Sequence, residues 1–309
     1  MSDSPDLAPR SALPGWIDWL VMGALIATWG SAYALLKIAV HEIPPVWNTA
    51  ARLWIGAATL GVMAVIWRVK LPPLLPRPDP LWWWYAFNGI IGTALPFYLY
   101  AMAAQGIPSA VNAICNGASP IFTLVFAWFA QADARPTGKR VGGVLLGFLG
   151  LVVLVGPRLA QGASLEALAL IAAIAGAAFY AMANVAIRRA PPTAPIIGSL
   201  ILCLTGGVAA SLVAVATAPL PPVPHAPALL ALAFLGVVIT GVATVGYVFV
   251  IQRRGPVFLS MAIYISPLWA TALGVAVMGE RPGWNAFAAL ALILTGVVLT
   301  TRPAKAAEI

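Results

Sequence analysis

Charge is the scarcest property of this sequence. Only 8% of its 309 residues are Asp, Glu, Lys or Arg, against about 25% in soluble globular domains. A surface facing water needs more than that. The composition therefore excludes a soluble enzyme, a disordered chain and a nucleic-acid binder in solution. The formal net charge is +8, but sparse basic residues in so apolar a chain mark membrane topology rather than a nucleic-acid surface. Histidine and cysteine are nearly missing too, with two of each. His41 and His225 fall in polar connections, and Cys115 and Cys203 lie in apolar runs. No disulfide, metal site or cofactor site is expected from them. Neither H-E-x-x-H nor G-x-S-x-G occurs, so a membrane-embedded enzyme is disfavoured, as is a structural or receptor role. Acids are absent from the middle of every long apolar run. A proton-driven pump for cationic compounds would need one there, so a facilitator or exchanger fits better.

What abounds is apolar length. Hydrophobic residues make up 61% of the chain, and the mean hydropathy is +0.94. A bilayer core of about 30 Å takes roughly 20 helical residues to cross. Ten runs of that kind are predicted, at 17–39, 46–67, 81–104, 109–130, 141–157, 165–187, 195–217, 227–251, 256–279 and 283–301. None alternates polar and apolar residues as barrel strands do, so all ten are read as helices. Residues 1–15 and 302–309 are read as mobile tails, and no signal peptide is expected.

The few cations set an orientation. With the N-terminus inside, 13 Lys and Arg residues fall in inside loops and tails, two (Arg158 and Arg281) in outside loops, and two (Lys37 and Arg52) within spans. Cationic loops stay cytoplasmic, so both termini are expected there. Most tryptophans sit near span ends, as interfacial indoles do; Trp29, Trp54 and Trp269 lie deeper.

The chain resembles itself at an offset of about 147: Pro44-Pro45 matches Pro191-Pro192, Phe87 and Gly89 match Phe234 and Gly236, Thr93 matches Thr240, Tyr100 matches Tyr247, Ser119-Pro120 matches Ser266-Pro267, and Asp133 matches Glu280. Each half, 16–157 and 158–301, then holds five spans. Five is odd, so the second half enters from the opposite face, giving inverted-topology repeats of the kind found in secondary transporters. The fold expected is an all-α membrane protein of ten transmembrane helices in two inverted five-helix repeats, with a substrate cavity where they meet.

Residues three, four or seven apart share a helix face. Asn112, Asn116, Ser119 and Thr123 form one polar stripe. Ser260, Tyr264, Pro267 and Thr271 form another at nearly the repeat offset. Such stripes either bond helix to helix in lipid or line a cavity. Trp29, Tyr33, Tyr100, Tyr180, Tyr247, Tyr264 and Trp269 are aromatics at depth, with Asn184 one turn from Tyr180; they pack a core or line an aromatic pocket. Pro96, Pro120 and Pro267 sit inside spans, where each adjusts helix shape or acts as a hinge. Lys37 either snorkels outward or, like Arg52, draws an anionic or zwitterionic substrate inward. For Arg52 a structural pair with loop carbonyls or Glu42 is the competing reading.

Trp29-Gly30-Ser31 followed by Lys37, Ala51-Arg52, Tyr100-Ala101, the two Ser-Pro pairs, Gly279-Glu280-Arg281 and Gly296-Val297-Val298-Leu299 resemble the EamA domains of the drug/metabolite transporter superfamily. The resemblance covers about residues 17–301 as two tandem domains. The first half departs from the family's Gly-Glu pattern with Ala132-Asp133, and the second lacks the Trp-Gly and Lys signals. It implies ten helices, cytoplasmic termini, a place in the bacterial inner membrane and export of small metabolites, amino acids foremost. The aromatic-rich central helices are similar to the YddG-type branch, which implies aromatic or other neutral amino acids. Other small organic compounds, such as drugs or nucleosides, are the alternative cargo. The partners implied are a small-molecule substrate and the lipid bilayer, with no nucleic acid, and the chain is a monomer or a homodimer.

Overall fold

The structure, a computed structural model, describes residues 14–73, 79–130, 137–160, 162 and 164–301, apart from the side chains of 159, 251, 252, 255–257, 260, 263 and 301. The tail 302–309, most of the tail 1–15, Asp133 and the side chain of Ser260 lie outside the described residues.

Long apolar runs become helices because hydrocarbon leaves no other partner for backbone N–H and C=O groups. The helices are α1 (Trp16–Ala39), α2 (Pro45–Ile66), α3 (Pro80–Gly89), α4 (Leu95–Gly106), α5 (Ser109–Asn116), α6 (Ser119–Phe129), α7 (Gly138–Leu159), α8 (Leu165–Ile187), α9 (Pro195–Thr217), α10 (Ala226–Phe234), α11 (Ala243–Ala276) and α12 (Trp284–Thr301). A π-helical segment, Ile90–Ala94, joins α3 to α4, and a second, Leu235–Val242, joins α10 to α11. Among the described residues eight helical spans are long and apolar enough to cross a bilayer, and Tyr264–Ala276 and Trp284–Thr300 are shorter apolar helices. This is an all-α multi-pass membrane fold.

Starts and stops follow local chemistry. Proline opens α2, α3 and α9 at the first helical position, where its missing donor costs nothing. Asp79, Thr137 and Ser164 accept from backbone N–H groups at the starts of α3, α7 and α8, satisfying donors that have no helical partner.

Two expected spans differ in detail. The run at 109–130 is broken at Gly117-Ala118 and restarts at Ser119. Pro120 cannot donate to the carbonyl four residues earlier, so the helix loses a bond just there. The runs expected at 227–251 and 256–279 are instead joined, because helical backbone continues through 251–256 in α11. Pro256 removes one donor and does not end the run. The segment nevertheless reverses direction. Tyr247 contacts Trp29, while Trp269 bonds Ser31. Those α11 residues would be about 33 Å apart on a straight helix, yet they meet neighbours two residues apart on α1.

The helices pair closely: α1 with α11, α2 with α9, α4 with α8 and α7 with α12. Glycine allows the last crossing. A Cβ on Gly143 would lie 2.6 Å from the Gly296 carbonyl oxygen, and one on Gly296 2.5 Å from that of Gly143. Close backbone approach through small residues is the usual means of helix association in lipid.

Side-chain ties fasten both ends. At the end where the chain begins, the buried Asp18 carboxylate accepts from Arg253 Nε at 3.1 Å and Arg254 Nε at 2.7 Å. At the far end, Glu280 accepts from Lys37 Nζ at 3.1 Å, Ser109 N at 2.7 Å, Ser109 Oγ at 3.0 Å and Ala110 N at 3.2 Å. Burial opposes the Glu280 charge, but the two backbone donors and Lys37 outweigh it and hold the carboxyl below its ordinary pKa. Nearby, Glu42 accepts from His225 N at 2.6 Å, and this bond lowers its pKa against the opposing effect of burial.

Candidate functional site

A cavity of about 460 Å³ lies between the helices of the two chain halves. Its lining reaches Asn184, three residues before the end of α8, hence about 5 Å from the chain-start end. At the other extreme it stops at Leu36 and Tyr100, short of the Lys37–Glu280 tie.

Aromatic rings form much of the wall. Trp29 and Tyr33 come from α1, Phe97 and Tyr100 from α4, Tyr180 from α8 and Tyr247 from α11. They run edge to face and tilted: Tyr33–Tyr100 centroids are 6.0 Å apart, Tyr100–Tyr180 5.7 Å, Phe97–Tyr180 6.3 Å and Trp29–Tyr247 6.4 Å. Gly176 makes room for Tyr100, since a Cβ there would stand 3.0 Å from the ring. The Tyr100 hydroxyl donates to Asn116 Oδ1 at 2.7 Å, which gives a deeply buried phenol the partner it needs.

Polar groups are few and spaced. Asn116 and Ser119 flank the break between α5 and α6, and Ser119 Oγ donates to the Ala177 carbonyl at 3.0 Å. Asn184, Ser199, Thr93, Thr240, Thr244 and Ser266 complete the set, with Pro267 beside Ser266.

Among the described residues one charge faces the cavity. Arg52 is only 8% exposed and lines it from α2. Its Nε donates to Thr240 Oγ1 at 3.0 Å, and its guanidinium carbon lies 3.8 Å from the Phe97 ring centroid. Thr240 spends its own hydrogen on the Leu235 carbonyl, 2.8 Å away and five residues back. The π segment supplies that acceptor, and Thr93 bonds the Asn88 carbonyl in the same way at 3.4 Å. Gly56, one turn from Arg52, lets α2 approach; a Cβ there would meet Thr240 Cγ2 at 2.6 Å. No carboxylate oxygen lies within salt-bridge distance of Arg52 among the described residues. The alternative pairing with Glu42 is not formed, because His225 occupies Glu42.

The structure thus brings Trp29, Tyr33, Tyr100, Asn116, Ser119, Tyr180, Asn184, Tyr247 and Pro267 to one cavity. It puts other candidates elsewhere. Lys37 is tied to Glu280 and to the Ile107 carbonyl at 3.3 Å. Asn112 is fully buried and donates to the Tyr100 carbonyl at 3.0 Å. Thr123 and Thr271 bond carbonyls four residues back in their own helices. Tyr264 packs against the main apolar core. Trp269 is 43% exposed and donates to Ser31 Oγ. Pro96 is buried at the start of α4, directly after the first π segment. Thr93, Phe97, Ser199, Cys203, Thr240 and Thr244 line the cavity and were not anticipated as site residues. For Thr93 and Thr240 a signal existed, since they match across the repeat offset.

Among the described residues no three His, Cys, Asp or Glu side chains gather as a metal cluster would, and both cysteines are free.

A multi-pass helical bundle folded around an aromatic cavity with sparse polar groups, and tied at both ends by ionic contacts, has the build of a small-molecule carrier. The chain belongs to the EamA-like transporter family, which matches residues 15–156 and again 167–302. It is a secondary transporter of small molecules. It is 25% identical over 280 residues to the uncharacterized inner membrane transporter YedA of Escherichia coli strain K12, covering 90% of this chain and 88% of that one. It is 28% identical over 281 residues to the aromatic amino acid exporter YddG of Ancylobacter novellus, covering 88% and 92%. A solved crystal structure superposes with a TM-score of 0.63 at 25% identity, over 92% of this chain and 97% of the other.

Proposed function

We propose that this protein exports neutral amino acids, aromatic ones foremost, across the bacterial inner membrane by alternating access. The observation that carries the proposal is the aromatic cavity of about 460 Å³ between the two halves. Its volume falls within the range of about 300–1,000 Å³ common to small-molecule sites, and its tyrosines and Trp29 suit an apolar or aromatic side chain. The similarity to an exporter of aromatic amino acids supports the same cargo, and the relative named as an inner membrane transporter supports the location.

The two halves, 16–157 and 158–301, serve as inverted repeats that exchange conformations. Both contain a π segment near the same relative position, each with a threonine bonded five residues back. The ratio of 13 to two cationic residues supports placing the chain-start end in the cytoplasm. In that orientation the Lys37–Glu280 tie closes the outer end, beyond the cavity. Export then begins with capture at Tyr33, Asn116 and their neighbours and proceeds when the outer tie opens. The breaks at Pro120 and after the first π segment at Pro96 are where the helices bend.

Purified protein in liposomes preloaded with labelled phenylalanine, tyrosine or leucine should release label faster than protein-free liposomes. No release above that background for any of the twenty amino acids would remove the amino-acid cargo and leave other small organic compounds.

A further inference from the structure

We infer that Arg52 is the carboxylate subsite of the cavity and sets the acidic class of the cargo. The inference rests on the transport reading above. It stands on a juxtaposition: a buried guanidinium lining the cavity, with no acid beside it among the described residues.

A buried cation is ordinarily paired, because desolvation without a partner is costly. Lys37, partly buried, and Arg254, more deeply buried, obey that rule. Arg52 departs from it, although its surroundings hold it firmly. Thr240 has already donated its hydrogen to the Leu235 carbonyl, so its oxygen can only accept, and Arg52 Nε is fixed. Phe97 covers one face of the guanidinium plane at 3.8 Å. The two terminal nitrogens have no hydrogen-bond partner among the described residues. Their parallel N–H bonds form the fork that grips a carboxylate bidentately. Orientation from the side and from one face, with the outer edge open to a cavity, is a binding posture rather than a structural tie. Among the described residues the cavity wall supplies no carboxylate for an ammonium group, so a cationic amine has nothing of opposite charge to pair with there. The cargo is therefore a molecule with a free carboxylate: an amino acid or its deaminated acid, with the apolar part against the tyrosines.

Matched ligands test this in the intact detergent-solubilised protein. Thermal stabilisation is measured with phenylalanine, phenylalaninamide, 3-phenylpropanoate and phenethylamine, followed by counterflow in liposomes with those that bind. The acids should bind at least tenfold more tightly than the amide or amine. R52Q should bring that ratio to about one, and R52K should retain part of it. Equal binding of acid and amide, no binding of any acid, or an unchanged ratio in R52Q would overturn the subsite. Absence of amino-acid flux while 3-phenylpropanoate still binds with the tenfold preference would remove the amino-acid reading alone. If R52Q fails to fold, the wild-type ratio decides on its own.

Discussion

Two membrane-embedded cations stood out in the sequence, and the structure gives them opposite surroundings. Lys37 lies at the far end of α1, its side chain 34% exposed, against a Glu280 side chain only 7% exposed. That carboxylate also takes both leading N–H groups of α5. Arg52 lies deeper, bonded to a hydroxyl and stacked on a ring, with its remaining donors open to the cavity. A satisfied charge in a membrane protein is a fastening. An oriented but unsatisfied one is held ready for something that arrives. The difference assigns the first to holding the outer end closed and the second to cargo.

The sharpest way to break this contrast is Arg52→Gln. Transport of carboxylate-bearing cargo should fall at least about tenfold, the worth of one charge-assisted contact of roughly 1.4 kcal/mol or more. The melting temperature should hold or rise, because an unpaired buried charge is removed. A variant that melts well below the wild type would show that Arg52 also fastens the fold, beside whatever the acid-to-amide ratio says of cargo. Glu280→Ala should act first on stability. It strands Lys37 and the Ser109 and Ala110 donors, which costs about 1–3 kcal/mol, read as a lower melting temperature. The carboxyl pKa is depressed in the fold, so this contribution is complete above the ordinary Glu value near 4.3 and is lost as pH falls through the lower folded value. Thermal melts of wild type and variant should therefore converge in strong acid and run parallel at neutral pH. Convergence near pH 7 would contradict a depressed pKa.

A subtler probe leaves both charges in place. Gly56→Ala puts a methyl 2.6 Å from Thr240 Cγ2. Overpacking of one methyl costs about 1 kcal/mol, and displacement of Thr240 loosens the Arg52 Nε contact. Carboxylate affinity should drop severalfold, with acid still preferred over amide. An unchanged affinity would mean that Thr240 does not orient Arg52.

Much of this was legible beforehand. The spans were, because bilayer thickness fixes how long an apolar run must be and the chain has little else. Nine of the candidate site residues do meet at the cavity, since aromatic and amide groups at depth rarely face lipid. What escaped was the side each helix face turns to. Asn112 and Asn116 share a stripe, but Tyr100 lies along it, so Asn112 bonds its carbonyl in the core while Asn116 holds its hydroxyl at the cavity. Helical spacing cannot separate these two. The Arg52 environment was hidden for a similar reason. Glu42 looked available in sequence, but His225 comes to it from 183 residues away. The π segments also left no periodicity to read, yet they create the carbonyl that fixes Thr240.

The smallest effect is expected where aromatic depth misled. Sequence spacing leaves Trp269 either a pocket or a packing ring; in the fold its ring backs onto Gly30 and its Nε1 donates to Ser31 at 3.0 Å on a partly exposed face. Trp269→Phe keeps a ring against α1 and loses one exposed hydrogen bond, worth about 0.5–1 kcal/mol. The wall around Arg52 is untouched by it. Flux per folded molecule and the acid-to-amide ratio should both stay within about twofold of wild type, with at most a small drop in melting temperature. A tenfold loss of flux at normal stability would show that the α1–α11 contact moves during the cycle. The contrast would then extend from two cations to a third region, an uncharged seam that neither binds cargo nor merely fastens helices.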